Sequence, residues 1–333
     1  MIAFYEYDVT ISVDFVEESP SSTFPAITIC NLNAFDTSNS TINNEINKII
    51  TDFNINTNIM PNSSQPITQI KNLLKQLKII AKQRNNDNKR NPATNNNDIG
   101  FDINKMLISC EFNGEVCTSS NFIKSYSFEY VNCYTFNKNT GGSLKKVSQR
   151  KSGLTLELYA GMEGDYSIER GFYVAVHNNS FQALTKYDGC KIPVGFSTDI
   201  SVSRAFHYKL SSPYSDCRKD ITQYSSSDST YFKYILTSMS YTTYSKTLCY
   251  EVCYQDLVNK NCGCTDPTNI ITLDYTYPIC NSSVMQNCAI NIVTSCQKSD
   301  SSCSCYSACP TECDFIEYPT SLSSSVYVIF LII

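Results

Sequence analysis

The sequence predicts an α+β fold stapled by disulfides, on three observations. Short runs of alternating apolar and polar residues read as strands, and runs with apolar residues every three or four positions read as helices. Seventeen cysteines are present, thirteen of them between Cys190 and Cys313, a density that a reducing cytosol seldom tolerates. With 333 residues, 42% of them apolar, the chain can bury real cores in one large domain or in two to three average ones.

Taken in order, residues 5–16 alternate loosely through Val9, Ile11, Val13 and Phe15 and read as a strand. Phe24-Pro-Ala-Ile-Thr-Ile-Cys30 is a second β-prone run. Residues 36–66 are rich in Asn, Ser and Thr, with one weak helix expected near 42–50. Between Ile70 and Ile80, apolar residues at 70, 73, 74, 77 and 80 predict a helix covering a core, with Lys71, Lys75, Lys78 and Lys82 on its other face. The Asn/Lys/Arg/Asp tract 85–98 reads as a disordered loop. Residues 99–110 read as helical again. Strands follow over 130–136, 154–159 and 172–176, with turns marked by Gly141-Gly142, Gly161 and Gly164. Residues 231–260 carry helical stretches, and short cysteine-rich loops are expected from there to Cys313.

Composition excludes several functions. Net charge is −5 and the basic residues are scattered, so the clustered positive face of a nucleic-acid binder is missing. With only His177 and His207, and with Cys262-Gly-Cys264 and Cys303-Ser-Cys305 in place of C-x2-C knuckles, no metal site is assigned. His177 falls in a strand motif and His207 is expected on a surface loop. Neither accompanies a reactive thiolate, and no acid pair stands out, so no catalytic residue and no cofactor are assigned. Asn39, Asn62, Asn178 and Asn281 begin glycosylation sequons, in agreement with secretion. The start, Met-Ile-Ala-Phe-Tyr-Glu-Tyr-Asp, is not a signal peptide, and no run reaches the roughly 18–20 apolar residues that span a bilayer. The longest apolar run is Val326 to Ile333. The chain is therefore expected to be a fragment of a longer protein.

Cysteine spacing sets local geometry and leaves connectivity open. Cys249 and Cys253 share a helical face and can send two parallel bridges to a facing segment, for which Cys303 and Cys305 are candidates. Cys262 and Cys264 alternate as on a strand and so should seek different partners, such as Cys280 and Cys288.

Eight motifs in order resemble the extracellular domain of the degenerin/epithelial sodium channel family, which includes acid-sensing and peptide-gated channels. Phe24-Pro-Ala-Ile-Thr-Ile-Cys-Asn-Leu-Asn-Ala-Phe35 is similar to the segment after that family's first transmembrane helix. Met106-Leu-Ile-Ser-Cys-Glu-Phe-Asn-Gly-Glu-Val-Cys117 resembles its finger cysteine segment. Cys133-Tyr-Thr-Phe-Asn137, Gly153-Leu-Thr-Leu-Glu-Leu158 and Gly171-Phe-Tyr-Val-Ala-Val-His177 are similar to its strands. Ser212-Pro-Tyr-Ser-Asp-Cys217, the run from Tyr244 to Cys264 with Tyr277-Pro-Ile-Cys280, and Cys309-Pro-Thr-Glu-Cys-Asp-Phe-Ile-Glu-Tyr318 resemble its thumb entry, cysteine ladder and closing motif.

The resemblance implies a hand-like channel ectodomain with a β-sheet palm and β-ball, a helical finger and knuckle, and a disulfide-rich helical thumb. The palm would start over 1–35, after a missing first transmembrane helix. The finger would span 36–132, palm and β-ball strands 133–216, the thumb 217–313 and a truncated return to the palm 314–333. The implied bridges are Cys30–Cys133, Cys110–Cys117, Cys249–Cys305, Cys253–Cys303, Cys262–Cys288 and Cys264–Cys280, with Cys217 joined to Cys309 or Cys313. Cys190 with Cys296 is then a further expected pair, and the odd total leaves at least one thiol free or bonded to another chain. The implied function is that of an extracellular gating domain in a ligand-gated or constitutive sodium channel subunit at the plasma membrane. It would belong to a homo- or heterotrimer around a sodium pore, with a peptide among the candidate ligands. The stretch His177-Asn-Asn-Ser-Phe-Gln182 lacks the carboxylates of acid-sensing members, so proton gating through that pocket is not expected. Ligand specificity is expected in 36–100. The alternative is a pore-less secreted or tethered binding module of the same fold.

Overall fold

The computed structural model describes residues 22–37, 40–52, 67–92, 98–147, 153–161, 169–181, 189–239, 242–269, 271–297, 303 and 305–326. The strand read over 5–16 lies outside them. Strands β1 (Ser22–Thr23) and β2 (Ala26–Asn31) open the described chain, and helix α1 (Ser40–Asp52) follows. Helix α2 (Ile67–Arg90) leads to a single turn, α3 (Ile103–Met106). Strands β3 (Leu107–Phe112), β4 (Glu115–Val116), β5 (Phe122–Ser127), β6 (Val131–Phe136), β7 (Lys146–Val147), β8 (Leu154–Leu158), β9 (Phe172–His177), β10 (Cys190–Ile192), β11 (Phe196–Val202) and β12 (Ala205–Tyr208) come next. Helices α4 (Thr230–Ser238), α5 (Lys246–Cys262), α6 (Ser283–Gln297) and α7 (Cys305–Ala308) precede β13 (Asp314–Glu317) and β14 (Thr320–Val326).

A five-stranded antiparallel sheet, ordered β10-β9-β2-β6-β5, forms the centre. Both β2 and β6 are buried along their whole length, because apolar layers cover both faces. Ile27, Ile29, Tyr134 and Phe136 point into a core with Phe101, Met106, Phe112 and Phe122. Phe136 is fully buried and its ring meets those of Phe24, Phe112 and Phe122 at 5.3–6.2 Å. On the other face Cys30, Cys133, Tyr173 and Ala175 pack together. Asn137, which closes the Cys-Tyr-Thr-Phe-Asn motif, sits at φ +57°, a conformation that Asn tolerates better than most residues. Its amide donates to the Phe24 carbonyl at 2.5 Å and its oxygen accepts from Lys145 N at 2.7 Å, fastening β6 to both neighbouring segments.

The structure corrects four readings of the sequence. Helix α2 runs on to Arg90, so residues 85–90 are helical, while 93–97 lie outside the described residues. Tertiary contact overrides composition there: Asn86 is buried and accepts from Thr272 Oγ1 at 3.4 Å. Lys89 and Arg90 also fall in the last turn, where the helix dipole favours cations. The helix expected over 99–110 shrinks to α3, capped by Asp102, before the chain turns into β3. Strand β3 buries Cys110 and Phe112 and pairs with β8. Where loops were expected, α6 forms; its Asn and β-branched residues weaken the helical signal. Its packing on α5 supplies the missing stability. Finally, Cys262 is the last residue of α5 and not part of a strand; Gly263, at φ +65°, turns the chain in a left-handed conformation that glycine adopts without strain.

Residues 217–313 build a separate layer around α5, whose N-terminus is capped by Ser245. Phe232, Ile235, Tyr244, Leu248 and Val252 form its core with five buried cysteines. Two antiparallel ribbons lead away from it: β12 pairs with β13, and β11 pairs with β14 from Phe196↔Val326 to Val202↔Thr320. No helix among the described residues is long and apolar enough to cross a membrane.

Candidate functional site

The chain enters the C-terminal layer and leaves it at one clasp. Arg218 N donates to the Thr311 carbonyl at 2.7 Å, Cys313 N donates to the Arg218 carbonyl at 3.0 Å, and Cys217 is bonded to Cys313. Above the clasp, Cys249–Cys309 and Cys253–Cys305 tie α5 to the segment around α7. Cys262–Cys288 and Cys264–Cys280 tie the end of α5 to α6 and to the loop before it. Cys296–Cys303 closes a short loop after α6. In the other half of the molecule, Cys30–Cys133 bridges β2 and β6, and Cys110–Cys117 closes the β3–β4 hairpin.

The ladder register differs from the one the resemblance implies. Cys249 bonds Cys309 and not Cys305, and Cys253 bonds Cys305 and not Cys303. The reason is helical geometry. Cys249 and Cys253 are one helical turn apart on α5, and Cys305 and Cys309 are one turn apart on α7 and its end, so two antiparallel rungs match. A spacing of two, as in Cys303 and Cys305, puts the sulfurs on different sides of a helix. The expected Cys190–Cys296 pair is absent: Cys296 is taken by Cys303, and Cys190 is the free cysteine.

A cleft of about 850 Å³ opens between the edge of the central sheet and the clasp. Val176, His177 and Cys190 line it from the sheet side, Leu248 and Glu312 from the C-terminal layer, and Glu317 from β13. His177 is buried; its Nδ1–H donates to the Asn178 carbonyl at 2.9 Å, which leaves Nε2 to accept from the Thr28 hydroxyl at 2.8 Å. Thr28 and Thr135 continue that chain of hydrogen bonds at 2.7 Å. Burial pushes the imidazole down to about 4, outweighing the Asn178 hydrogen bond, so the ring is neutral at physiological pH. Glu312 accepts from Lys246 N at 3.1 Å, in the first turn of α5, where the helix dipole favours an anion. Burial raises the Cys190 thiol, so it is mostly protonated. His207 lies on β12 and not on a loop; it faces Glu317 at 3.0 Å and stacks on Phe315. Residues 177–182 themselves contain no carboxylate. Folding brings Glu312 and Glu317 to the same cleft from more than 130 residues away.

Helix α2 docks on the C-terminal layer. Lys75 Nζ donates to Gln286 Oε1 at 2.9 Å, and Lys82 Nζ donates to the Asn269 carbonyl at 3.2 Å. Lys82 is only 2% exposed, against the expectation of a solvent-facing lysine row, because the layer covers that side of the helix. Its ammonium also sits 5.2 Å from the centre of the Tyr126 ring. Burial lowers it to about 8, partly offset by the nearby Asp266 carboxylate.

Of the sequons, Asn281 is exposed just ahead of α6, and Asn178 is half-buried with its oxygen accepting from Ser180 N at 2.9 Å. Asn39 and Asn62 lie outside the described residues.

Five disulfides brace this layer of helices and a sixth forms the clasp at its entry and exit, a density that belongs to oxidising compartments. Residues 1–329 match the family described as amiloride-sensitive sodium channel, and the chain belongs to that family. It is 27% identical to acid-sensing ion channel 1C of Danio rerio over 340 residues, covering 96% of this chain and 58% of that protein. Against acid-sensing ion channel 1 of Gallus gallus it is 27% identical over 319 residues, covering 90% and 55%. Epithelial sodium channel subunit gamma of Bos taurus is 26% identical over 234 residues, covering 68% and 34%. The chain thus spans between about a third and three-fifths of these relatives.

Proposed function

We propose that this chain is the extracellular gating region of a sodium channel subunit at the plasma membrane, working in a homo- or heterotrimer. In this reading 1–35 and 133–216, which carry β2, most of β6, β9 and β10 of the central sheet, are the palm with its β-ball strands, and 314–333 returns to it. Residues 36–132 are the finger and 217–313 the thumb. The observation that carries the proposal is the clasp: Cys217–Cys313 and the Arg218–Glu312 backbone bridge fasten together the points where the chain enters and leaves the braced layer, directly before β13 and β14. A layer whose helices are cross-linked moves as a body. A ligand that fits one position of the layer better than another would then displace the β11–β14 and β12–β13 ribbons. A peptide is the class of stimulus proposed, with its specificity placed in 36–100. Glycans on Asn39, Asn62, Asn178 and Asn281 are part of the proposal.

The test is sodium current. The chain is expressed together with the coding sequence that flanks it, and current is recorded while candidate peptides are applied. A sodium-selective current that changes with a peptide supports the reading. A secreted product that traps peptide and passes no current replaces it with the binding-module alternative.

A further inference from the structure

The Sγ atoms of Cys296, Cys303 and Cys305 all lie within 4.8 Å of one another, although they belong to two bridges, Cys296–Cys303 and Cys253–Cys305. Cys305 is fully buried and Cys296 nearly so, while Cys303 is half-buried. A groove of about 580 Å³ reaches the Cys296–Cys303 bridge, lined by Leu257, Asn261, Val284, Asn291 and Ile292, with no charged side chain. The groove admits a thiol of either charge. A thiolate freed at Cys296 stands within a short approach of a neighbouring disulfide sulfur, which is the geometry that thiol–disulfide exchange requires.

We propose that Cys296–Cys303 is a thiol-exchange site, taking an extracellular low-molecular-weight thiol as its substrate and passing the opening on to the brace. A thiolate R–S⁻ attacks Cys303 Sγ through the groove. The S–S bond breaks, Cys303 becomes the mixed disulfide with R, and Cys296 leaves as a thiolate. Cys296 then attacks Cys305 Sγ, forming Cys296–Cys305 and expelling Cys253 as a thiolate that takes up a proton. A second R–S⁻ attacks the outer sulfur of the mixed disulfide, releasing R–S–S–R and leaving Cys303 as a thiol. Two thiols R–SH are oxidised, one protein bridge is reduced and one is exchanged. The result is loss of the Cys253–Cys305 rung that ties α5 to α7, while Cys249–Cys309 and the Cys217–Cys313 clasp persist. The proposal concerns this chain's own sulfurs and stands whether or not the chain gates a pore.

The experiment uses the oxidised full chain and glutathione as probe. After brief exposure, free thiols are alkylated with a light reagent, the remaining bridges are reduced and alkylated with a heavy one, and peptides are mapped. A parallel aliquot is digested without reduction. Light label on Cys303 and Cys253 together, with a Cys296–Cys305 linked peptide, is the expected result. Light label confined to Cys296 and Cys303, with Cys253–Cys305 intact, overturns the proposal, as does prior opening of any other bridge. The variant Cys303→Ser supplies the attacking thiol without reductant; there the Cys296–Cys305 peptide and labelled Cys253 are expected at equilibrium. Should that variant not fold, the glutathione experiment on the unaltered chain decides alone.

Discussion

Two of the eight disulfides lie in the half built on the central sheet, and six lie between Cys217 and Cys313. The apolar cores divide the other way. The sheet's largest cluster is rich in aromatic rings, with Phe101, Phe112, Phe122 and Phe136, and a small second one lies around Cys30–Cys133, whereas the two clusters of the C-terminal layer count seven cysteines among their buried residues. The sheet is therefore held chiefly by burial of aromatic surface, and the layer by restriction of its unfolded chain. The two should fail for different reasons, and substitutions can separate them.

The largest effect is expected in the sheet. Phe136→Ala removes a ring that three other aromatics enclose, which costs about 3–5 kcal/mol because the rigid surroundings cannot close the cavity. Chemical unfolding of the secreted variant measures it. A cost under about 1 kcal/mol would mean that the sheet is not held by packing. In the layer, Cys249→Ser combined with Cys309→Ser opens a bridge of sequence separation 60. The chain-entropy account gives about 4 kcal/mol for such a loop. The variant should still expose little new apolar surface when folded, so its denaturant slope should change less than its midpoint.

The same division governed what could be read from sequence. Strands β2, β6, β8 and β9 were legible because alternation and β-branched residues are properties of short local runs. The ladder register was not, because Cys303, Cys305, Cys309 and Cys313 offer two sets of similar spacing. Only the turn of helix at Cys305–Ala308 decides between them, and four residues give no periodic signal. The end of α2 and the whole of α6 were hidden for a related reason: both are stabilised by what they touch, not by their own composition. The cleft was the least legible part. His177 could be placed on a strand, but its neighbours Cys190, Glu312 and Glu317 come from three other segments.

The buried imidazole gives the sheet a dependence on acid. His177 has an ordinary value of 6.5 and falls to about 4 in the folded protein. Below pH 6.5 the unfolded chain binds a proton that the folded one refuses, so stability falls as pH drops from 6.5 toward 4. The loss is on the order of 3 kcal/mol for a group this deeply buried. His177→Gln keeps a neutral polar side chain beside Thr28 and should flatten this part of the profile, as read from unfolding midpoints at several pH values. An unchanged slope in the variant would locate the acid sensitivity elsewhere.

The smallest effect falls where the two regions meet. Lys82 belongs to α2, but its ammonium is covered by the loop at Asn269. Its folded value of about 8 lies below the ordinary 10.5, so between those limits the unfolded chain binds more protons and stability rises with pH. Lys82→Met fills the same space without a charge. The Asn269 carbonyl then loses a donor, while the burial of a cation is relieved. These terms oppose each other, and a net change of about 1 kcal/mol is expected at pH 7. The informative measurement is the profile from pH 8 to 10.5, where the alkaline rise should vanish in the variant. If the rise persists, the contact between α2 and the layer is held by Lys75–Gln286 and Asn86–Thr272 without energetic involvement of the buried lysine.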